Sequence, residues 1–366
     1  MAEESREPLL TLESQPTPLN KRTFNENRWK MRRDLRFFGA CMAASLILGY
    51  LAWFNSENVY HSHPTVTKPS QLDKTLSQVK YDALHSPPKP FPPLPPADND
   101  EYIAICLGVR DPDPDISEWF THYYYHHGIR RFYVIDDGSE PPLAERENLY
   151  DIPSSAITFD YIPRGDRPKD IQAYMFMERC TKPHRDKHTW MGYLDADEFL
   201  EMRDPEPEKK PATLVQHLKS WEIKEDIGAV AAQWLTHNSN GLEKRPENGP
   251  RKGFTRCVVN DEDGENKHVK MFAKLALVDV IHNVHSIGTG NGTKQIGEHG
   301  EPAGPFKFPI THDHWALHHY GIKSKEQFEE KHARNAALDW PTADDLFDRV
   351  NGVDSYECQV LASYVP

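Results

Sequence analysis

The chain has 366 residues, 38% of them hydrophobic, and a formal net charge of -13. That length can bury one large core or two small ones. The acidic balance argues against a general nucleic-acid binder, because phosphate binding needs a concentrated basic surface.

At the amino end, "FFGACMAASLILGYLAWF" (37–54) runs uncharged for a length that can just cross a bilayer core, and it closes on Trp53 and Phe54, which suit an interface. The long polar stretch before it does not fit a cleaved signal, so the sequence predicts an uncleaved anchor. Lys21, Arg22, Arg28, Lys30, Arg32, Arg33 and Arg36 precede the span, and Lys68 and Lys74 are the nearest bases after it. This asymmetry keeps the amino terminus in the cytosol and predicts a type II membrane protein. The expected organisation is a cytoplasmic tail (1–36), a transmembrane helix (37–54), a proline-rich stem (55–100) and a lumenal domain (101–366). The stem ends in "SPPKPFPPLPPADND", whose prolines favour an extended, semi-rigid spacer.

Five cysteines are few, and Cys41 falls within the span. Cys106 sits in an apolar strand-like run and is expected as a buried thiol. Cys180, Cys257 and Cys358 are free to pair in an oxidising lumen, in combinations the sequence leaves open. "NGT" at Asn291 is the one Asn-x-Ser/Thr sequon.

From residue 101, "EYIAICLGV" reads as a continuous apolar strand. "DISEWFTHYYYHHG" then places Ile116, Trp119, Phe120, Tyr123 and Tyr124 at helical spacing before a glycine stop. "RRFYVIDDGS", "AITFDYI" and "HTWMGYLD" repeat the strand theme, with the helix-like "DIQAYMFMERC" before the last. The order is β-α-β-β-α-β, which predicts an α/β fold with a mixed, mainly parallel sheet flanked by helices. Farther on, "IGAVAAQWLTH" and "KMFAKLALVDVIHNVH" read as strands, and Gly288 to Gly297 reads as a mobile loop. "SKEQFEEKHARNAALDW" reads as a helix opened by Ser324 with Gln327 three residues on, a capping-box pattern.

Ligands of such sheets bind beyond the carboxyl ends of the strands. Three segments fall there: Arg110 to Asp113, Asp136 to Ser139, and Asp195 to Glu198. In "YLDADEFLEM", Asp195 and Asp197 project to one side and can present oxygens to one hard cation. Two carboxylates are too few for a closed cage. They suit Mn²⁺ or Mg²⁺ otherwise held by water and ligand phosphates, with an acidic turn that binds nothing as the plain alternative. Asp136 and Asp137 add a second acidic strand end and make a nucleotide-sugar site plausible. "THDHWALHHYG" invites a zinc reading, but neither a close cysteine pair nor a His-Glu-x-x-His helix accompanies it, so one histidine completing the metal shell is the expectation. A serine-hydrolase elbow and the phosphate-binding glycine patterns are absent.

"SEWFTHYYYHHGIRRFYVIDDGSEPPL", "DIQAYMFMERC", "HTWMGYLDADEFLEM" and "HHYGIKSKEQFEEKHARN" occur in the order and approximate spacing of motifs in glycosyltransferase family 92, which this chain resembles across most of residues 101 to 338. The resemblance implies a GT-A-like, Rossmann-related fold and a sugar transferase of the Golgi or another secretory-pathway membrane. It implies transfer, with inversion, from a UDP-sugar to a glycan acceptor, with UDP-galactose the donor associated with characterised relatives. Carried over by position, Asp137 or Asp136 would touch the uridine. Asp195 and Asp197 would hold Mn²⁺ or Mg²⁺, His319 would touch the metal or the diphosphate, and Lys323 or Lys331 would offset phosphate charge. The chain departs from the family in "VRDPDPD", where a Lys-Asn-Glu type sequence is usual, and Arg110 stands for the basic residue. Glu298, Asp313 and Glu301 are the candidates for the base that deprotonates the acceptor hydroxyl. The competing readings are a non-catalytic glycan-binding or scaffold protein on the same fold, and a metal-dependent phosphoesterase.

Overall fold

The apolar run that opens the domain becomes strand β1 (Ile103–Val109), and its side chains alternate between two cores. Ile103, Ile105, Leu107 and Val109 enter one core, and Ala104 and Cys106 the other, which is why the strand reads as continuously hydrophobic. The computed structural model describes residues 102–364 other than 113, 147–149, 167, 169, 207, 261–263 and 337–344. The predicted tail, anchor and stem lie outside the described residues. Among the described residues no helix is long and apolar enough to cross a membrane.

Strands β2 (Phe132–Asp136), β3 (Ile157–Tyr161) and β4 (Trp190–Leu194) join β1 in parallel, in the order β3-β2-β1-β4. Helix α1 (Ile116–Thr121) continues through a wider π-helical turn, His122–His126, and links β1 to β2. Helix α2 (Ile171–Tyr174) likewise continues through Met175–Thr181 and leads to β4. Then come β5 (Glu198–Met202), α3 (Leu214–Glu222), β6 (Ile227–Thr236), α4 (Gly249–Gly253) and β7 (Arg256–Val258). They are followed by β8 (Val269–Lys274), β9 (Val278–Asn283), β10 (Ser286–Thr289), β11 (Lys294–Ile296) and β12 (Trp315–His319). Helices α5 (Lys325–Ala336) and α6 (Leu346–Gly352) and strand β13 (Ser355–Glu357) complete the order.

The main sheet runs β3-β2-β1-β4-β8-β6-β12-β5, with β11 also on β6. Strands β8 and β5 are antiparallel to their neighbours, and the remaining pairings are parallel. This order forces curvature. Strands β4 and β5 are separated by three others, about 19 Å across a flat sheet. The chain from Leu194 to Glu198 reaches only about 14 Å when fully extended, so the sheet must curl until the ends of β4 and β5 approach each other. The Glu198 amide in fact donates to the Asp195 carbonyl in a tight turn.

Two expectations are corrected. Cys106 is not a free thiol: it forms a disulfide with Cys180, tying β1 to α2, and Cys257 pairs with Cys358. The apolar strand hid this partner, because Cys180 approaches from the helix layer. Gly288 to Gly297 holds the end of β10 and all of β11, because β9 and β6 give its backbone pairing partners. Asn291 lies exposed in the turn between them. At the start of α5 the Gln327 amide donates to Ser324 Oγ at 3.3 Å, as the capping pattern predicts, while the Gln327 side chain reaches across to Asp115.

Burial sets a pH dependence. It pushes His127, His217 and His312 down to about 4 from an ordinary 6.5. Between those values the unfolded chain binds more protons than the folded one. Their contribution to stability is therefore complete above pH 6.5 and is lost as the pH falls toward 4. The urea midpoint is expected to fall steadily across that window. A flat midpoint would show that these rings accept protons in the folded state.

Candidate active site

Strands β1, β2, β4, β6 and β12 bring their carboxyl ends to one edge of the sheet, where they line a cleft of about 670 Å³. Arg110, Asp137, Asp195, Asp197, His319, Lys323 and Lys331 all border it.

The acidic pair sits in the turn between β4 and β5. Glu198, the first residue of β5, is fully buried and anchors the turn: its Oε2 accepts the Asp195 amide at 2.8 Å and its Oε1 accepts the indole N–H of Trp234 at 2.6 Å. Asp195 Oδ2 accepts a proton of Lys270 Nζ at 2.6 Å, and Asp197 Oδ2 accepts one of Lys331 Nζ at 2.7 Å. Burial opposes ionisation of Asp197, but Lys331, His319 and Lys323 outweigh it and hold the carboxyl well below its usual range. Glu198 goes the other way: burial, reinforced by Asp195 and Asp197, raises its pKa against the pull of Lys270.

His319 arrives by strand pairing. Antiparallel β12 and β5 set His319 opposite Glu198, and the Tyr320 amide donates to the Asp197 carbonyl at 2.9 Å. The imidazole lies flat on Trp234, with ring centroids 3.7 Å apart. A Cβ at Gly321 would stand 2.5 Å from His319 Cε1, so this glycine leaves room for the ring. Burial pushes His319 down to about 3 and keeps it neutral.

Asp197 and His319 approach each other as two ligands of one cation do, while Asp195 is turned to Lys270 and the ligand atoms of the three do not all come within 4.8 Å of one another. His319 Nε2 lies 4.0 Å from Asp197 Oδ1, too far for a hydrogen bond but about twice a metal–oxygen bond of about 2.1 Å. His319 Nδ1 is buried without a hydrogen-bond partner among the described residues. Stacking, rather than a hydrogen bond, therefore holds the ring.

Other predicted site residues fall elsewhere. Asp136, 1% exposed, turns inward, and its two oxygens accept the amides of Ser139 and Leu143, each at 2.8 Å. It orders the loop after β2 and offers the cleft nothing, whereas Asp137 borders the cleft. The proposed bases are also corrected. Glu298 accepts the amides of Asp313, His314 and Trp315 at the amino end of β12, a strand length from His319. Asp313 is exposed and contacts His299 at 2.9 Å, while Glu301 pairs with Lys307 at 2.7 Å. None of the three borders the cleft. The acids that do, besides the pair and Asp137, are Asp115, which accepts from Lys323 Nζ at 2.8 Å, and Glu265, which pairs with Arg349.

Sequence reasoning passed over Lys270, Trp234, His268 and His285. The one signal for Lys270 was a lysine in an otherwise apolar strand, "VKMFAK", where a buried charge needs a partner.

No family model matches the chain. A protein of Oryza sativa subsp. japonica named as a glycosyltransferase family 92 protein is 22% identical over 251 residues, which are 68% of this chain and 38% of that protein. The family resemblance carried by the motifs is thus shared with a curated homologue, and the match spans less than two fifths of that relative's length. Among solved structures, the mannosyltransferase PcManGT from Pyrobaculum calidifontis, in complex with GDP-Man and Mn²⁺, is 19% identical, covers 44% of this chain and 42% of that one, and has a TM-score of 0.26. The galactosyltransferase LgtC, with donor and acceptor sugar analogues, is 13% identical, covers 67% and 99%, and has a TM-score of 0.28.

Asp136→Ala removes a charged acceptor from two buried amides, a loss of about 2–4 kcal/mol. A lower denaturant midpoint with an unchanged slope is expected. Unaltered stability would mean that the loop after β2 does not depend on this carboxylate.

Proposed function

We propose that the chain is a metal-dependent glycosyltransferase that moves a sugar from a UDP-sugar to a glycan acceptor. The observation that carries this reading is the convergence of Asp195, Asp197 and His319 at the ligand edge of the sheet, with Arg110, Asp137, Lys323 and Lys331 around the same cleft. The family resemblance favours galactose as the sugar and inversion at its anomeric carbon. The two aspartates and His319 would hold Mn²⁺ or Mg²⁺, which would supply charge neutralisation for the departing nucleoside diphosphate. Asp137 binds the nucleoside, with Arg110 and Lys323 near the phosphates. Lys331, which bridges Asp197 and the Gly321 carbonyl, can turn its charge to the diphosphate. With Glu298 and Asp313 outside the cleft, Asp115 and Glu265 are the carboxylates available to take the proton of the acceptor hydroxyl.

The lysines on both aspartates favour a second reading, a glycan-binding protein on the same fold that works without metal. Transfer and hydrolysis assays with Mn²⁺ and a panel of UDP-sugars separate the two. Asp195→Asn and Asp197→Asn are each expected to lower turnover about a hundredfold or more, if the metal stabilises the leaving group by several kcal/mol. EDTA should do the same to the unaltered protein. EDTA-resistant turnover in the double variant would sink the metal-dependent reading, and UDP-sugar binding without turnover under any metal would favour the second.

We further infer that residues 37–54 anchor the chain in a Golgi or related membrane with residues 101–366 in the lumen, on the strength of the basic flank before the span. Protease added outside sealed microsomes is expected to trim only the amino-terminal tail. Digestion of the whole chain without detergent would reverse the topology.

A further inference from the structure

On the side of β12 facing away from His319, four side chains meet: His237, Cys257, His318 and Cys358 place one potential ligand atom each within 4.8 Å of all the others. They come from separate parts of the chain. His237 follows β6, Cys257 lies in β7, His318 lies in β12 and Cys358 follows β13. All four are buried, His318 and Cys257 completely.

The outer nitrogen of each ring is already committed. His237 Nδ1 donates to the Phe254 carbonyl at 2.7 Å, and His318 Nε2 donates to the Glu201 carboxylate at 2.8 Å. In two neutral imidazoles the remaining nitrogens are both lone pairs. Here those two, His237 Nε2 and His318 Nδ1, face each other at 2.7 Å, a contact that a cation held between them makes favourable; two nitrogens on tetrahedral zinc stand about 3.3 Å apart, so metal binding would spread the two rings. The arrangement is the one metal-ligating histidines show, each ring oriented by giving its other N–H to a carboxylate or carbonyl. His237 Nε2 also stands 3.5 Å from Cys257 Sγ. Tetrahedral zinc, with bonds of about 2.0 Å to nitrogen and 2.3 Å to sulfur, sets that edge at about 3.5 Å.

The two sulfurs are joined as a disulfide. We propose that, once this bond is reduced, the four side chains form a Cys₂His₂ zinc site, so that disulfide and metal are alternative cross-links at one position. An external dithiol or phosphine supplies two electrons, the S–S bond breaks, and each sulfur takes up a proton. Zn²⁺ binding then converts both thiols to thiolates and releases those two protons, while the histidines bind as neutral rings. The loaded centre has no net charge, which suits its burial. In either state the segment after β13 is fastened to the ends of β6, β7 and β12. This inference does not rest on the proposed transferase activity.

The zinc reading set aside at "THDHWALHHYG" lacked nearby cysteines because the partners come from distant strands. Only His318 of that motif takes part.

The test uses the full chain, reduced with a phosphine under anaerobic conditions and titrated with Co²⁺ alone. A thiolate-to-cobalt charge-transfer band is expected, saturating at a single equivalent and disappearing when Zn²⁺ is added. Cys358→Ser should remove the band. Glu201→Gln, which alters the group behind His318 and also weakens its ion pair with Arg203, should weaken Co²⁺ binding about tenfold or more. His314→Ala, a histidine of the same motif outside the cluster, should change nothing. If the reduced metal-free chain unfolds, a single equivalent of Zn²⁺ should restore its folded circular dichroism spectrum. A folded, reduced protein without the band, a band that survives Cys358→Ser, or an unfolded chain that zinc does not restore would each overturn the proposal; in the first case a shared proton occupies the place assigned to the metal.

Discussion

The cleft depends on one buried ammonium. Lys270, near the start of β8, is completely buried, and its Nζ lies 2.6 Å from Asp195 and 3.8 Å from Glu198. A charge so placed must be compensated, and removing a partner of a buried pair costs about 3–5 kcal/mol. The lysine therefore fixes where the turn after β4 must sit. Glu198, held in that turn, takes the Trp234 indole, and Trp234 in turn supports the His319 ring. The ends of β5, β6, β8 and β12 are thus fastened to one another at the acidic turn by hydrogen bonds and one ring stack.

The same contacts explain why the sheet mixes directions. Antiparallel β8 lets Lys270 enter from the ligand edge, and antiparallel β5 starts where the acidic turn ends. A wholly parallel sheet would have carried the chain away from that edge after Asp197. Curling of the sheet then brings β5 to β12, and their pairing places His319 beside the acids. Because neighbouring residues on a strand face opposite ways, His319 serves the cleft while His318 joins the cluster behind it. One strand separates two chemical environments.

Local pattern made part of this legible. Strands β1, β2 and β4 follow from apolar runs and β3 from the alternation in "ITFDY", and the acids of "DADE" follow from their place at the end of β4. The motif order pointed to the family, and the position of Asp137 after β2 pointed to the cleft. Long-range placement hid the rest. Asp136 and Asp137 are equivalent by composition, and only the loop that folds over Asp136 makes its carboxylate a backbone anchor. Glu298 looked available for catalysis until three amides from another segment closed on it.

The sequence by itself determined what is local or periodic: the alternating strands and helices, the carboxyl-edge position of the acidic pair, and the acids and histidine that a metal would need. Tertiary structure alone decided which distant groups meet them. Lys270, Trp234 and Lys331 come from strands and a helix far along the chain, and Cys106 pairs with Cys180 across sheet and helix layers. The physical reason is that a buried charge or an unpaired polar atom is satisfied by whatever the fold brings within hydrogen-bond reach, and that proximity is a property of the packed sheet that no stretch of sequence contains.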